Sequence, residues 1–169
     1  MIESLALSVV KSLAALLFKA YIVATPNVAI DGAPSWYYVE ERSKVCVFTS
    51  AKSEHEAVEQ VRTGAVRKME NRIAELLDIV IQGEYRDITS DEEKDFLLAL
   101  TKDRDLPLFV RGNIRHEQIE YDEESGRTFG KSCIDKALIL DYETKRIAEA
   151  KTALTHKRAE DAFDELDAE

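Results

Sequence analysis

The residues best suited to metal or covalent chemistry are three histidines and two cysteines. His55 lies at a predicted helix start, His116 on a predicted strand and His156 on the last predicted helix. A metal site needs several such ligands at one point, and a zinc protease needs two histidines one helical turn apart. Cys46 and Cys133 also lack the C-x-x-C spacing of zinc and redox sites. The sequence therefore predicts no metal and no cofactor.

The two cysteines indicate structure rather than chemistry. Cys46 and Cys133 each lie in an apolar or alternating run that is typical of a strand. Free cysteine is among the most frequently buried residue types, so the pattern favours two buried thiols. A disulfide is the open alternative, because it requires neighbouring strands and an oxidising compartment.

Other catalytic signatures are missing from the sequence. It contains no G-x-S-x-G nucleophile elbow and no glycine-rich phosphate loop between a strand and a helix. Carboxylates are plentiful, but an acidic chain has them everywhere. Arg111 and Arg115 could bind an anion, although charged residues guarding a strand edge explain them equally well. The sequence predicts a protein that is not an enzyme.

Size and charge limit the classes of partner. The chain has 169 residues and a formal net charge of −10, with acidic stretches at 117–124 and 160–169. This length suits one domain with its own core. Because phosphate backbones would be repelled, no nucleic-acid partner is expected.

The most unusual segment is the apolar run at 2–24. At 100° per residue its polar side chains share one helical stripe, formed by Ser4, Ser8, Lys11, Ser12 and Lys19. The rest of the circumference is apolar. The side chains expected to form an interface are Leu5, Val9, Leu13, Leu16 and Leu17, bordered by Lys11 and Lys19.

Four interpretations of this helix compete. A secretory signal fits poorly, because no basic region precedes the apolar run. A membrane span has adequate length, about 20 residues, but Lys11 near its middle is costly. An ordinary core helix would pack on its own sheet. The favoured interpretation is an interfacial or oligomerising helix, with the lysine and serine stripe facing water or headgroups.

The elements after this helix alternate between strands and helices. Residues 25–35 are rich in turn formers, and Trp36-Tyr37-Tyr38 is predicted to be extended, with Pro34, Trp36 and Tyr37 as structural residues at the core edge. Further predictions are a strand at 44–50, a helix from Ser53 to Gly83 and a shorter one from Ser90 to about Lys102. Strands at 108–121 and 128–142 flank a turn at Ser125-Gly126, and a helix covers 144 to about 166.

This order predicts an α+β fold with a small antiparallel or mixed sheet covered by helices, preceded by the apolar amphipathic N-terminal helix. The predicted organisation is a helix at 1–24, a linker at 25–35, an α+β domain at 36–150, and an acidic C-terminal helix or tail at 151–169.

The run Gly32-Ala33-Pro34-Ser35-Trp36-Tyr37, followed by a strand and a long alanine-containing helix, resembles the start of LPP20-type bacterial envelope domains. Ala57, Ala65 and Ala74 lie in that helix, and the later pair of strands also fits. The resemblance implies a non-enzymatic envelope component related to flagellum-associated ring proteins that form oligomers.

Three functional hypotheses follow. The favoured one is a structural, self-associating protein that is attached to a membrane or envelope through its N-terminal helix. The expected partners are further copies of the chain or another protein that binds this helix, with a membrane as a further candidate. The second is a soluble cytosolic adaptor or regulatory module whose apolar helix docks on a partner. The third is an enzyme of unrecognised type.

Overall fold

The computed structural model describes residues 30, 32–52, 56–84, 88, 90–101 and 105–167, and these form an α+β domain. The elements are β1 (Lys44–Lys52), α1 (Ala57–Glu84), α2 (Asp91–Thr101), α3 (Asp105–Asn113), β2 (Arg115–Asp122), β3 (Arg127–Asp135) and α4 (Lys136–Asp167). The predicted α+β class is confirmed. The predicted N-terminal helix at 1–24 lies outside the described residues. Within the described ranges, no helix combines the length and apolar character needed to cross a membrane.

The sheet is antiparallel, with strand order β1-β3-β2. β2 and β3 form the predicted hairpin, and Gly126 in its turn has φ of 62°, in the left-handed region that glycine favours. β1 comes from the start of the domain and pairs along the whole of β3, from Lys44↔Asp135 to Lys52↔Arg127. The central strand therefore joins two segments that are distant in sequence.

One stripe of α1 packs on the sheet. Every fourth residue is almost completely buried, namely Ala57, Val61, Ala65, Met69 and Ile73. This spacing places them on one face of the helix, as the sequence predicted from Val61 onwards. The closest approach is at Gly130 of β3, where an added Cβ would overlap Cγ1 of Val61.

Beyond the sheet, α1 packs with α4 and α2. Ile139 of α4 joins the core cluster that contains Ile73, and Ile147 joins the cluster that contains Ile81. From the first cluster to the second, the chain moves eight residues towards the C-terminus in both helices. α4 therefore runs parallel to α1 and away from the sheet. α2 packs against α4, and Glu93 at the start of α2 pairs with Arg158 of α4.

Residues 105–113 form helix α3, so the strand predicted from Leu108 is wrong there and correct only from Arg115. Leu106 and Val110 are buried one helical turn apart. Pro107 lies in the first turn, where its missing N–H breaks no helical hydrogen bond. Val110 and Ile114 fit a strand alternation and a helical spacing of four equally well, which explains the error.

The strand predicted at 128–142 ends at Asp135, and α4 begins at Lys136 rather than Thr144. The apolar run 137–140 is too short to distinguish a strand from a buried helix. The buried positions of α4 are Ile139, Glu143, Ile147, Ala150 and Leu154, which follow the helical period from the first turn onwards.

Trp36 to Tyr38 form turns instead of the predicted extended segment. The Tyr37 N–H donates to the Pro34 carbonyl at 2.9 Å, and Tyr38 has φ of 75°. The buried ring is that of Tyr37, whose centroid lies 5.0 Å from that of Phe129 of β3. Trp36 is half-buried, and its indole N–H donates to Glu120 at 2.7 Å. The segment covers the sheet face opposite α1.

Cys46 and Cys133 form a disulfide between β1 and β3. The two residues are directly opposed in the strand register, with Cα atoms 4.1 Å apart, as in a non-hydrogen-bonded antiparallel pair. Both are buried. The two free thiols favoured from the sequence are therefore wrong, and the disulfide alternative is correct.

Candidate functional site

The far end of α4 projects from the domain. Among the described side chains of this helix, Leu154 is the last that is buried. Arg158 then donates to both carboxylate oxygens of Glu93 at 2.7 and 2.9 Å. Of the described side chains at 155–166, all except the half-buried Lys157 are exposed. At 1.5 Å per residue, this end extends about 20 Å beyond the packed part of α4.

The projecting end carries an apolar face, here called the α4 stripe, which comprises Ala159, Ala162, Phe163 and Leu166. The spacing of i, i+3, i+4 and i+7 aligns these side chains on one side of the helix. Phe163 and Leu166 are each 69% exposed. Burying such side chains is worth roughly 1.5–3 kcal/mol each, so the stripe suits a protein–protein contact.

The helix end that carries the stripe is acidic. Residues 155–166 contain four acidic and two basic side chains, a formal net charge of −2. At 100° per residue Glu160 is the described acidic side chain nearest to the stripe, whereas Asp161 and Asp164 lie on the opposite face, where Lys157 pairs with Asp161 at 3.2 Å. The net charge of this end favours a partner with apolar and basic side chains over an anionic one.

The sheet edges are poorly suited to strand addition. On the free edge of β1, Arg72 donates to the Cys46 carbonyl at 2.7 Å and Lys68 donates to the Phe48 carbonyl at 2.8 Å. Both side chains come from α1, and Glu40 accepts a further hydrogen bond from Arg72. These carbonyls are thus already satisfied, which removes the usual template for edge pairing.

The other edge strand, β2, is protected by charge and by an irregularity. Its sequence RHEQIEYD carries five acidic or basic side chains, counting His116. A β-bulge interrupts the register between His116 and Gln118. Bulges and charges are common ways of blocking sheet-to-sheet association. Helical surfaces are therefore the better candidates for an interface.

A closed network of four charges lies beside the disulfide. Lys44 contacts Glu41 at 2.8 Å and Glu117 at 2.5 Å, and Lys131 contacts Glu41 at 2.9 Å. Hydrogen bonds from the two lysines lower the pKa of Glu41 to about 2. Two acids balance two bases here, so the network stabilises the sheet face without leaving a charge for a ligand.

Glu143 is a buried carboxyl group on α4. It lies one turn from Ile139 and one turn from Ile147, which belong to the two core clusters. Its side chain is 1% exposed, and neither carboxylate oxygen has a hydrogen-bond partner among the described residues. Burial raises its pKa to about 8. The apolar surroundings therefore hold this group neutral at pH 7.

The closest approach to catalytic geometry is between His116 and Ser132. Their Nδ1 and Oγ atoms lie 2.8 Å apart across β2 and β3. Ser132, however, is completely buried under α1, so its hydroxyl cannot reach a substrate. Burial also lowers the pKa of His116. Among the residues of known position, no group of three histidine, cysteine or acidic side chains could hold a metal.

The interface residues predicted from the sequence lie outside the described residues: Leu5, Val9, Lys11, Leu13, Leu16, Leu17 and Lys19. The structural residues Pro34, Trp36 and Tyr37 come together in the segment that covers the sheet. The sequence predicted a helix to about Leu166 but did not reveal the α4 stripe on its exposed end. The burial of Glu143 was also not predicted, because it can be recognised only when this residue is known to lie between Ile139 and Ile147 on a helix.

Comparisons with known proteins give no further assignment. No family model matches the chain, and neither the curated proteins nor the solved structures contain a significant match.

Proposed function

We propose that this chain is a non-catalytic structural protein that self-associates and is attached to a membrane or cell envelope through its apolar segment at 2–24. The observation that carries the proposal is the α4 stripe, an apolar face with Phe163 and Leu166 exposed on a projecting helix. Such a surface is costly to leave in water and is typical of interaction sites.

The disulfide supports the proposed location. Buried structural disulfides are typical of oxidising compartments, which include the bacterial periplasm and the outside of the cell. The same feature disfavours the cytosolic adaptor. The resemblance to LPP20-type domains points in the same direction, because that family is expected in the envelope and in oligomers.

Self-association is tested by measuring the mass of the full-length protein with size-exclusion chromatography and light scattering over a range of concentrations. We expect masses that are multiples of 19.1 kDa. Leu166→Asp should lower the mass. Leu108→Asp is the matched control, because Leu108 on α3 is also 69% exposed. A monomer at every concentration would contradict the proposal.

The location is tested separately by fractionating cells and trapping free thiols. We expect the protein in the membrane or envelope fraction, with a carbonate wash distinguishing peripheral from integral attachment. Cys46 and Cys133 should resist alkylation until a reductant is added. A cytosolic protein with both thiols freely alkylated would contradict the proposed location while leaving self-association open.

A further inference from the structure

We propose that the α4 stripe of one copy receives the apolar segment 2–24 of the next copy, so that subunits join head to tail. This inference rests on the proposed self-association and specifies its contact. It follows from where the α4 stripe and the start of the described chain lie, how far segment 2–24 can reach, and which net charge each segment carries.

The described part of the chain begins at the hairpin end of the sheet. A Cβ added at Gly32 would lie 2.9 Å from Cβ of Ser125 and 3.7 Å from Oδ2 of Asp122. Asp122 is the last residue of β2, and Ser125 lies in the turn between β2 and β3. The chain that precedes Ile30 therefore starts next to this turn.

The α4 stripe lies at the opposite end. β3 runs for nine residues from Arg127 beside the turn to Asp135, about 30 Å. α4 then continues to Phe163 over about 40 Å, parallel to α1, which itself crosses the sheet away from the turn. The stripe and the turn are thus about 70 Å apart.

The segment is too short to bridge that distance as the helix that its sequence predicts. A helix over 2–24 is about 35 Å long. The remaining residues before Ile30 add about 17 Å even when fully extended. The total of about 50 Å does not reach the stripe of the same chain, whereas the stripe of a neighbouring copy carries no such restriction.

Charge complementarity favours the segment over a second stripe as the occupant. Residues 2–24 carry Glu3, Lys11 and Lys19, a formal net charge of +1, whereas residues 155–166 at the end of α4 carry a formal net charge of −2. Two α4 ends placed together would bring two negatively charged helix ends into contact. A contact between two different surfaces is heterologous, and its repetition produces a ring or a filament.

The test mixes two full-length variants, each of which lacks one half of the contact. Leu13→Asp with Leu16→Asp disables the segment, and Phe163→Asp with Leu166→Asp disables the stripe. We expect each variant alone to be a monomer of 19.1 kDa by light scattering. An equimolar mixture should form a dimer and stop there, because the remaining segment and the remaining stripe make only one contact. Circular dichroism checks that both variants are folded.

Several outcomes would overturn the inference. A mixture that stays monomeric excludes segment-to-stripe docking between copies. A segment variant that still assembles by itself, while the stripe variant does not, indicates that stripes pair with one another. If both variants assemble like the wild type, the contact lies elsewhere although self-association stands. A wild-type protein that is monomeric instead refutes the proposed function itself.

Discussion

Replacing the buried carboxyl group of α4 should change how stability depends on pH. Glu143 lies between two apolar clusters, and burial raises its pKa from 4.5 to about 8. Between these pH values the folded protein holds a proton that the unfolded chain has released. The free energy of unfolding therefore falls as the pH rises through this window.

The size of the effect follows from the two pKa values. One bound proton corresponds to a slope of about 1.4 kcal/mol per pH unit. The full difference between the folded and unfolded pKa of Glu143 amounts to about 5 kcal/mol, most of which is lost between about pH 5 and about pH 8. Glu143→Gln keeps the shape of the neutral acid and cannot ionise, so it should remove this slope.

Urea unfolding of the oxidised protein at several pH values from 5 to 9 measures the effect. Glu143→Gln should match the wild type within about 1 kcal/mol near pH 5 and exceed it by several kcal/mol at pH 8. Glu160→Gln on the exposed end of the same helix removes the same charge in water and should leave the slope unchanged. Parallel curves for wild type and Glu143→Gln would refute the reasoning.

Three further predictions concern the sheet and its two covering layers. The disulfide closes a loop of 87 residues, so its reduction should lower the free energy of unfolding by about 2–5 kcal/mol. The measurement is the midpoint of urea unfolding, which should be lower with dithiothreitol than without it. An unchanged midpoint would contradict a structural role for the disulfide. Gly130→Ala should lower the free energy of unfolding by about 1–3 kcal/mol or more, because the added Cβ overlaps Val61, and Val61→Ala should partly restore it. Gly112→Ala is the control: the space around Gly112 in α3 is open, so this variant should be stabilised by up to about 1 kcal/mol. Equal effects at the two glycines would exclude the tight contact. Tyr37→Ala should lower the free energy of unfolding by about 3–5 kcal/mol in thermal unfolding, because the Tyr37 ring is buried. Trp36→Ala should lower it clearly less, because Trp36 is only half-buried. The reverse order would refute the assignment of Tyr37 as the buried ring.

Features fixed by local patterns were predictable from the sequence. β1 and α1 were found by residue type and period, and the start of α2 by its capping sequence. The Glu93 N–H accordingly donates to Ser90 Oγ at 3.4 Å. The hairpin turn was found from Ser125-Gly126. Each of these signals resides within a few neighbouring residues.

Features that depend on distant segments were not predictable. The disulfide requires β1 to lie beside β3, and no short-range pattern specifies that pairing. α3 and the first turns of α4 contain apolar runs that suit either a strand or a helix, and tertiary packing decides between them. The burial of Glu143 follows only from the start of α4 at Lys136, which places this residue inside the helix.

The proposed interface combines both kinds of information. The apolar character of segment 2–24 was clear from the sequence, and its role as an interface stays a prediction. The exposure of Phe163 and Leu166, and the separation of their stripe from Gly32, required the fold. Neither surface alone suggests a head-to-tail contact.

The most direct test of the account is photo-crosslinking in intact cells. A photoreactive benzoylphenylalanine replacing Phe163 should yield an adduct of two copies, with the crosslinked peptide from segment 2–24. The same amino acid replacing Leu108, which is equally exposed, should yield little or none. Absence of a two-copy adduct at position 163, or equal adducts at both positions, would contradict self-association through the α4 stripe.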